Sequence, residues 1–187
     1  MKGPLNISPL WAFTFLGTLI YPLLVYRYIA VSPPALFAGF ALILIAIRMV
    51  YIWHLPGSSI WLGAFIFAAL IFVFIMLLST SIAVKAYPII ISLSFAGAFG
   101  FSLVYPPTIV ERFARITHPD LPPSGVAYTK KVTIVWLIFL ICNAAISAVT
   151  ALWGSLELWT LWNGLISYLI MGILFAVEYA FRRRVMK

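Results

Sequence analysis

Charged residues, and acidic ones above all, are scarce in this chain of 187 residues. Only 9% of the residues are charged and only four are Asp or Glu, whereas 65% are hydrophobic. A soluble domain typically has about 45–50% apolar and about 25% charged residues. The composition therefore excludes a soluble globular protein, and the four carboxylates leave little for two-metal or paired-carboxylate chemistry.

Cysteine and histidine are also rare. Cys142 is the single cysteine and lies within an apolar run, so neither an internal disulfide nor a cysteine-based metal site is expected. The chain contains no Gly-rich phosphate loop, no Gly-x-Ser-x-Gly elbow and no His-rich metal spacing. We therefore predict neither a metal nor a cofactor.

A catalytic histidine of the His-x4-Asp acyltransferase kind is missing as well. Five residues after His118 stands Pro123, and five after His54 stands Ser59, where that motif needs a carboxylate. His118 and Asp120 can in principle pair a base with its orienting group, but a single pair in a loop is weak support for catalysis. A role without catalysis is favoured.

Basic residues, in contrast, are in excess, with 12 Lys and Arg and a net charge of +8. In a soluble protein this balance would suggest nucleic acid. Here the aromatic residues lie within apolar runs instead of alternating with the basic residues, as a base-stacking surface requires. No nucleic-acid partner is expected.

Long apolar runs dominate the chain and predict an all-α integral membrane protein. About 20 residues are needed for a helix to cross about 30 Å of hydrocarbon. Six runs meet this length, so residues 1–187 are predicted to form a single polytopic domain, and the first run reads as an uncleaved helix. The spans lie at about 10–30, 34–53, 59–79, 86–105, 132–152 and 158–181. The joint at 79–85 has the weakest turn chemistry, and a re-entrant segment is the alternative there.

The positions of Lys and Arg predict the orientation of these spans. If the N-terminus is cytoplasmic, only Arg27 and Lys85 lie outside. Such an excess of cytoplasmic cations is typical of inner-membrane proteins, and we expect both termini inside and membrane lipids as partners. Near the end of the second span, Arg48 is expected to snorkel to the cytoplasmic surface, and a buried functional arginine is the less favoured alternative. The predicted cytoplasmic cations are Lys2, Arg48, Arg112, Arg115, Lys130, Lys131, Arg182, Arg183, Arg184 and Lys187.

The cytoplasmic segment 106–131 is the one long polar stretch. A proline pair ends the fourth helix and can begin a short amphipathic helix between the fourth and fifth spans. We expect this helix to lie in the interface, with its apolar face in the acyl boundary and its arginines among headgroups. The predicted apolar face consists of Ile109, Val110, Phe113, Ala114 and Ile116, and the polar face of Thr108, Glu111, Arg112 and Arg115. Glu111 and Arg115 are also spaced for an i,i+4 ion pair.

The second half of this segment is predicted to be an extended, proline-rich loop at 119–125 that presents Leu121 to a partner. Tyrosine and lysine then lead back into the membrane as interfacial anchors. The arginines have two candidate partners, phosphate-bearing lipid or an acidic protein or phosphorylated substrate. The candidate residues for binding a partner or headgroup are Glu111, Arg112, Arg115, His118, Asp120, Tyr128, Lys130 and Lys131.

Polar side chains also lie inside the last two spans. Asn143 and Ser147 share a face of the fifth span, and Asn163, Ser167 and Glu178 form a stripe on the sixth. Polar stripes in membranes face other helices and not lipid. For a tight turn centred near Ser155, the spacing predicts hydrogen bonds from Asn143 to Ser167 and from Ser147 to Asn163.

Two roles remain open for these polar residues. They can hold the two helices together, or they can line a pathway for a substrate headgroup or a proton. Glu178 is expected to form a salt bridge near Arg182 and Lys131. In the fourth span the small residues Ser92, Ala96 and Gly100 predict a close helix contact, either an internal seam or the face of a homodimer.

The second half of the chain, about Tyr87 to Arg184, resembles a family of small multispanning bacterial inner-membrane proteins. The resemblance implies a location in the bacterial inner membrane near acyl carrier proteins, ketosynthase-like enzymes and acyltransferases, as in aryl-polyene pigment clusters. Some members carry a DNA gyrase label, a role for which this chain has no nucleotide-binding motif. The most specific matching pieces are Pro106-Pro107, Glu111-Arg112, Ala114-Arg115, Pro119, Leu121-Pro122, Tyr128-Thr129, Val132-Thr133 and Asn163-Gly164-Leu165-Ile166.

These observations lead to three ranked hypotheses. The first is an accessory or anchoring component of an acyl-chain, lipid or polyene assembly system, which docks an acidic acyl carrier protein or a synthase at its cytoplasmic face. The second is a small transporter or flippase subunit for a lipid-linked product. The third is a membrane-embedded acyl-transfer enzyme, which would be favoured if His118 and Asp120 converged with Glu178 or Arg48 in one pocket.

Overall fold

The computed structural model describes residues 9–53 and 59–185, and the regular secondary structure in these residues is entirely helical. His54, the predicted turn at 55–58, Lys2 and Lys187 lie outside the described residues. The helices are α1 (Pro9–Tyr28), α2 (Pro34–Trp53), α3 (Ser59–Leu78), α4 (Thr80–Val104), α5 (Ile109–Thr117), α6 (Pro123–Trp153), α7 (Leu156–Leu161) and α8 (Ser167–Val185). A π-helical turn, Trp162–Ile166, joins α7 to α8.

Five helical segments among the described residues are long and apolar enough to cross a membrane, and they indicate a membrane protein, as the sequence predicts. Large apolar side chains cover their outer surface; Leu70 is 66% exposed and Leu77 is 77% exposed. Contiguous apolar surface of this extent is rare on soluble proteins but is the surface that hydrocarbon favours. The five segments are Pro34–Tyr51, Ser59–Leu78, Thr80–Val104, Pro123–Trp153 and Leu156–Arg182.

The joint between α3 and α4 is a tight turn at a single residue, Ser79. Its backbone N–H donates to the carbonyl of Ile75 at 2.8 Å, and its hydroxyl accepts from the N–H of Ile82 at 3.4 Å. This capping serine starts α4 at Thr80, ahead of the expected 86, because it satisfies one of the free N–H groups of the first turn. Ser79 therefore joins two helices that pack against each other.

The central helix of the fold is α4, which packs most extensively against α6 and α3. On the face toward α1 and α3, the Tyr87 ring lies 4.6 Å from that of Tyr21 and 6.1 Å from that of Phe72, measured between centroids. On the face toward α6, Ser92 is buried, and a methyl group added at Gly100 would meet Leu137 of α6 at 3.8 Å. The small-residue stripe of α4 is therefore an internal seam.

α6 is longer than its predicted span. It begins at Pro123 and not at 132, because a proline is well tolerated in the first turn of a helix. The loop is therefore shorter than the predicted 119–125, because residues 123–125 belong to α6. Leu121 is buried, so the expectation that it faces a partner is wrong. With 31 residues, α6 is about 46 Å long at about 1.5 Å per residue, which exceeds the roughly 30 Å thickness of the hydrocarbon core.

Candidate functional site

Arg48 is the only charged residue of α2, and its guanidinium is held against α1. Nη2 donates to the Thr18 hydroxyl at 2.7 Å and to the Thr14 carbonyl at 3.2 Å, and the guanidinium carbon lies 6.0 Å from the centroid of the Phe65 ring. The Cα–Cβ bonds of a helix tilt toward its N-terminus, which directs this side chain away from the end of α2 at Trp53. Arg48 therefore binds α1 instead of extending to the helix end as a snorkelling residue would.

The hydroxyl of Thr18 determines the direction of the hydrogen bonds around Arg48. It donates its only proton to the Thr14 carbonyl at 2.9 Å, so its oxygen must accept both from Arg48 and from the Tyr87 hydroxyl at 3.2 Å. Tyr168 of α8 donates to the Thr18 carbonyl at 3.2 Å. We call Thr14, Thr18, Arg48, Tyr87 and Tyr168 the Arg48 cluster; it joins α1, α2, α4 and α8.

The acceptors of Arg48 are neutral. The two ion pairs found between the described residues join Glu111 to Arg115 and Glu178 to Arg182, and neither includes Arg48. The two other acidic residues, Asp120 and Glu157, are exposed. Of the five guanidinium N–H groups, two bind Thr14 and Thr18, so three have no acceptor among the described residues.

A second set of polar contacts connects α6 to α4 and to the π-helical turn. The hydroxyl of Ser147 donates to the side-chain oxygen of Asn163 at 2.6 Å, which confirms that predicted bond. The amide nitrogen of Asn163 in turn donates to the Trp159 carbonyl at 2.9 Å. Trp159 is fully buried, and its indole N–H reaches the Lys85 carbonyl of α4 at 3.3 Å.

The predicted bond between Asn143 and Ser167 is wrong. The amide nitrogen of Asn143 donates to the Ser92 hydroxyl of α4 at 2.9 Å, and its oxygen accepts the indole N–H of Trp162 at 3.1 Å. The count from Ser155 assumed a regular α-helix after the turn, whereas the π-helical turn adds a residue to one helical turn and changes the register beyond it. We call Ser92, Asn143, Ser147, Trp162 and Asn163 the Asn143 cluster.

In the cytoplasmic segment, α5 is fastened to the end of α4. Thr108 caps α5 by accepting the N–H of Glu111 at 3.3 Å, and the N–H of Ile109 donates to the Ser102 hydroxyl at 3.1 Å. The Nε of Arg112 donates to the Pro107 carbonyl at 2.9 Å. These contacts fix the direction in which α5 leaves α4.

The predicted ion pair between Glu111 and Arg115 is confirmed. Nε and Nη2 of Arg115 both donate to Oε1 of Glu111, at 2.9 and 2.7 Å, while Nη1 donates to the Pro119 carbonyl at 3.0 Å. Arg115 thereby ties α5 to the loop that follows it. A charge-assisted pair with two N–H donors is among the stronger hydrogen bonds in proteins.

The buried face of α5 differs from the predicted apolar face. Ile109, Glu111 and Ala114 are buried, whereas Phe113 is 58% and Ile116 is 71% exposed. Glu111 can turn inward because Arg115 neutralises its charge; a buried charge needs such a partner. The face of α5 directed away from the protein is therefore apolar at Phe113 and Ile116.

Some of the remaining candidate residues are held by hydrogen bonds or ion pairs, and others are exposed. The Tyr128 hydroxyl donates to the Glu178 carbonyl at 3.2 Å, and Glu178 pairs with Arg182 at 3.7 Å, as expected for a salt bridge there. Lys130 and Lys131 are exposed on the first turns of α6. Ser167 is buried.

His118 and Asp120 are exposed, and neither lies in a polar cluster with Arg48 or Glu178. Within the described residues, no hydrogen bond or ion pair joins the two side chains. No group of three or more His, Cys, Asp or Glu side chains in this part of the chain is placed to hold a metal. Among the described residues, His118 and Asp120 therefore do not share one site with Arg48 or Glu178.

Sequence reasoning missed the Arg48 cluster. Its one visible signal is an arginine inside an apolar run, together with two threonines four residues apart on the first helix. Tyr87 and Tyr168 carry no signal, because tyrosine is an ordinary residue of membrane helices and interfaces.

Comparison with protein-family models, with curated proteins and with solved structures found no match.

Proposed function

We propose that the protein is a six-span bacterial inner-membrane protein with both termini in the cytoplasm, and that it anchors an acyl-chain, lipid or polyene assembly system at the membrane. In this role it docks an acidic acyl carrier protein or a synthase. Support for the sixth span comes from α1, an apolar helix of 20 residues packed against α2. Support for the orientation comes from the distribution of Lys and Arg.

The observation that carries the docking proposal is the braced construction of the cytoplasmic segment. Contacts through Arg112, Arg115 and Tyr128 tie it to its own backbone, to the following loop and to α8. A surface that is already ordered loses less conformational entropy when a partner binds. The segment is therefore suited to hold a partner in one defined position.

The cations of this segment fall into two roles. The guanidinium of Arg115 is committed to Glu111 and to Pro119, so it contributes to the brace. Lys130 and Lys131 are exposed on the end of α6 that precedes the predicted span, and we assign the docking charge to them. Exposed cations steer an acidic partner to its site and raise its association rate.

The apolar residues Phe113 and Ile116 are proposed to anchor the docking surface to the membrane. Both are exposed on α5, on the helix that joins the ends of α4 and α6. In the interface they would lie in the acyl boundary of the lipid, which anchors α5 beside the lysines. The resemblance of residues 87–184 to inner-membrane proteins found near acyl carrier proteins favours an acyl assembly system as the partner.

The experiment is crosslinking in native membranes followed by identification of the captured proteins. The informative variant replaces Lys130 and Lys131 with Glu, and Arg27→Glu is the control because Arg27 is an exposed cation on the predicted outer side. We expect the wild type and the control to capture an acyl carrier protein or synthase, and the double variant to lose it. Failure of the wild type to capture either protein overturns the proposal.

A second candidate function, transport of a lipid-linked product, is favoured by one observation. The Arg48 cluster leaves a positive charge with neutral partners inside the helical bundle, and intramembrane charges of this kind often mark substrate pathways. Asn143 supports this function less, because both ends of its amide are occupied. Lipid profiling of a deletion strain separates the two: a precursor that accumulates in the inner leaflet indicates transport, and loss of product without precursor indicates assembly.

A further inference from the structure

We propose that the Arg48 cluster is an intramembrane binding site for the anionic headgroup, a phosphate or a carboxylate, of an acyl-chain amphiphile. The site is distinct from the cytoplasmic docking surface, and it can exist whether or not a carrier protein docks there. Three observations support this assignment: the charge of Arg48 with its neutral acceptors, the orientation of its guanidinium, and its depth below the end of α2.

The positive charge of Arg48 has no negatively charged partner among the described residues. An arginine inside a membrane helix is energetically costly unless it is paired or reaches water. Arg48 is half-buried, and its protein acceptors are a carbonyl and a hydroxyl. Neither carries a charge, so an external anion can stabilise this side chain more than its present neighbours do.

The guanidinium of Arg48 is oriented by its contacts with α1. Nη2 is fixed to α1 by its bonds to Thr14 and Thr18, and the ring of Phe65 lies near the guanidinium carbon. Nε and Nη1 then present the three N–H groups that have no acceptor in the described part of the chain. Guanidinium donors match the oxygens of phosphate and carboxylate, and such bonds are about twice as strong as neutral ones.

The Thr18 hydroxyl helps to hold the guanidinium of Arg48 in place. Its oxygen accepts from Arg48 and from Tyr87, so it holds both donors on one side of α1. The guanidinium is thereby kept in one position before a ligand arrives, and a ligand pays no ordering cost for it.

The depth of Arg48 points to an amphiphile. Arg48 is five residues from the end of α2 at Trp53, about 7.5 Å along the helix axis at about 1.5 Å per residue. This is close enough to the helix end for a headgroup to be drawn down to it. The exposed apolar side chains of the two helices, such as Leu16 on α1 and Val50 on α2, lie on other helix faces and suit contact with hydrocarbon. An acyl chain attached to the bound headgroup can remain in these surroundings, which an inorganic anion cannot.

The test uses the full-length protein in phosphatidylcholine nanodiscs and measures bound lipid by native mass spectrometry. Two amphiphilic probes, phosphatidylglycerol and palmitate, are titrated separately, and inorganic phosphate is the water-soluble competitor. Arg27→Gln is the matched control, because it also removes one cation of a membrane helix but leaves the Arg48 cluster intact.

We expect saturable binding of at least one amphiphile to the wild type and to Arg27→Gln, and a loss of about tenfold or more in affinity for Arg48→Gln. Arg48→Lys should bind with intermediate affinity, because lysine keeps the charge but lacks the planar set of donors. Thr18→Val keeps the charge and gives a second reading if Arg48→Gln does not fold; it should weaken binding less than Arg48→Gln does.

Equal affinity of the wild type, Arg48→Gln and Thr18→Val overturns the proposal. Displacement of the bound lipid by millimolar inorganic phosphate would overturn the amphiphile as the ligand and assign the site to a free anion. Failure of the wild type to capture a carrier protein or synthase would overturn the docking proposal but leave this lipid-binding result unchanged, so the two proposals fail separately.

Discussion

Arg48 donates a 2.7 Å hydrogen bond to the Thr18 hydroxyl, and this bond joins the end of α2 to the middle of α1. Because the same oxygen also accepts from Tyr87, it connects three helices through one atom. The positive charge of Arg48 is thereby held inside the bundle by neutral groups. Both the stability of the helical packing and the proposed anion site depend on this relationship.

Thr18→Val should destabilise the protein by about 1–3 kcal/mol, because two donors lose their acceptor while the side-chain shape is kept. Thr150→Val is the control, since the Thr150 hydroxyl donates only within its own helix, to the Ser147 carbonyl. Unfolding in detergent measures the free-energy difference. A loss from Thr18→Val no larger than the loss from Thr150→Val would contradict the role given to Thr18.

Asn143→Leu should cost about 1–3 kcal/mol, because it removes interhelical bonds to Ser92 and Trp162 that are worth about 0.6 to 1.7 kcal/mol each. Ser167→Ala should cost less, since no bond joins Ser167 to Asn143. The same unfolding assay compares the two variants. If transport or product formation fails in Asn143→Leu while the protein inserts and accumulates normally, the structural role of Asn143 is insufficient and a pathway role is needed.

Glu111→Gln should loosen α5 and its contact with the following loop, because it removes the charge that holds Arg115 in place between Glu111 and Pro119. Arg115 is 39% exposed, so solvent screening limits the expected loss to about 1 kcal/mol. Hydrogen exchange of the amides at 109–117 measures it as faster exchange. Glu178→Gln is the matched control and should change exchange in α5 little, because Glu178 and its partner Arg182 both lie on α8. Unchanged exchange in Glu111→Gln would show that the ion pair does not hold α5.

The proposed orientation predicts which side of the membrane each single-cysteine variant faces. In a Cys142→Ala background, Lys130→Cys should react with an impermeant thiol reagent only after the cytoplasmic side is opened. Arg27→Cys should react in intact cells whose outer membrane is permeable. The reverse pattern would contradict cytoplasmic termini.

The parts of the structure that the sequence predicts correctly are those governed by local spacing. The ion pair of Glu111 with Arg115 follows from one helical turn, and the bond from Ser147 to Asn163 follows from a count across a short turn. Most helix bounds follow from apolar runs and prolines, although Ser79 and Pro123 start their helices earlier than the runs alone indicate. In each of these cases, residues close together along the chain determine the contact or the helix bound.

The parts that the sequence does not predict depend on contacts between distant helices. The π-helical turn changes which residues of the last helix meet α6, so Asn143 bonds to Trp162 and to Ser92 instead of Ser167. The residues Thr18 and Tyr87 are 69 positions apart, and their contact depends on how α1 packs against α4. The orientation of α5 also depends on tertiary contacts, since this helix packs against α6 with Glu111 on its buried side.

The most direct measurement of the docking claim is the binding of a purified acyl carrier protein to the full-length protein in nanodiscs, followed at increasing salt concentration. We predict saturable binding that weakens steeply with salt, because exposed charges are screened beyond about 10 Å at 0.1 M. The binding should be abolished by Lys130→Glu with Lys131→Glu but kept by Arg27→Glu. Wild-type binding no stronger than to empty nanodiscs of the same lipid would contradict the account.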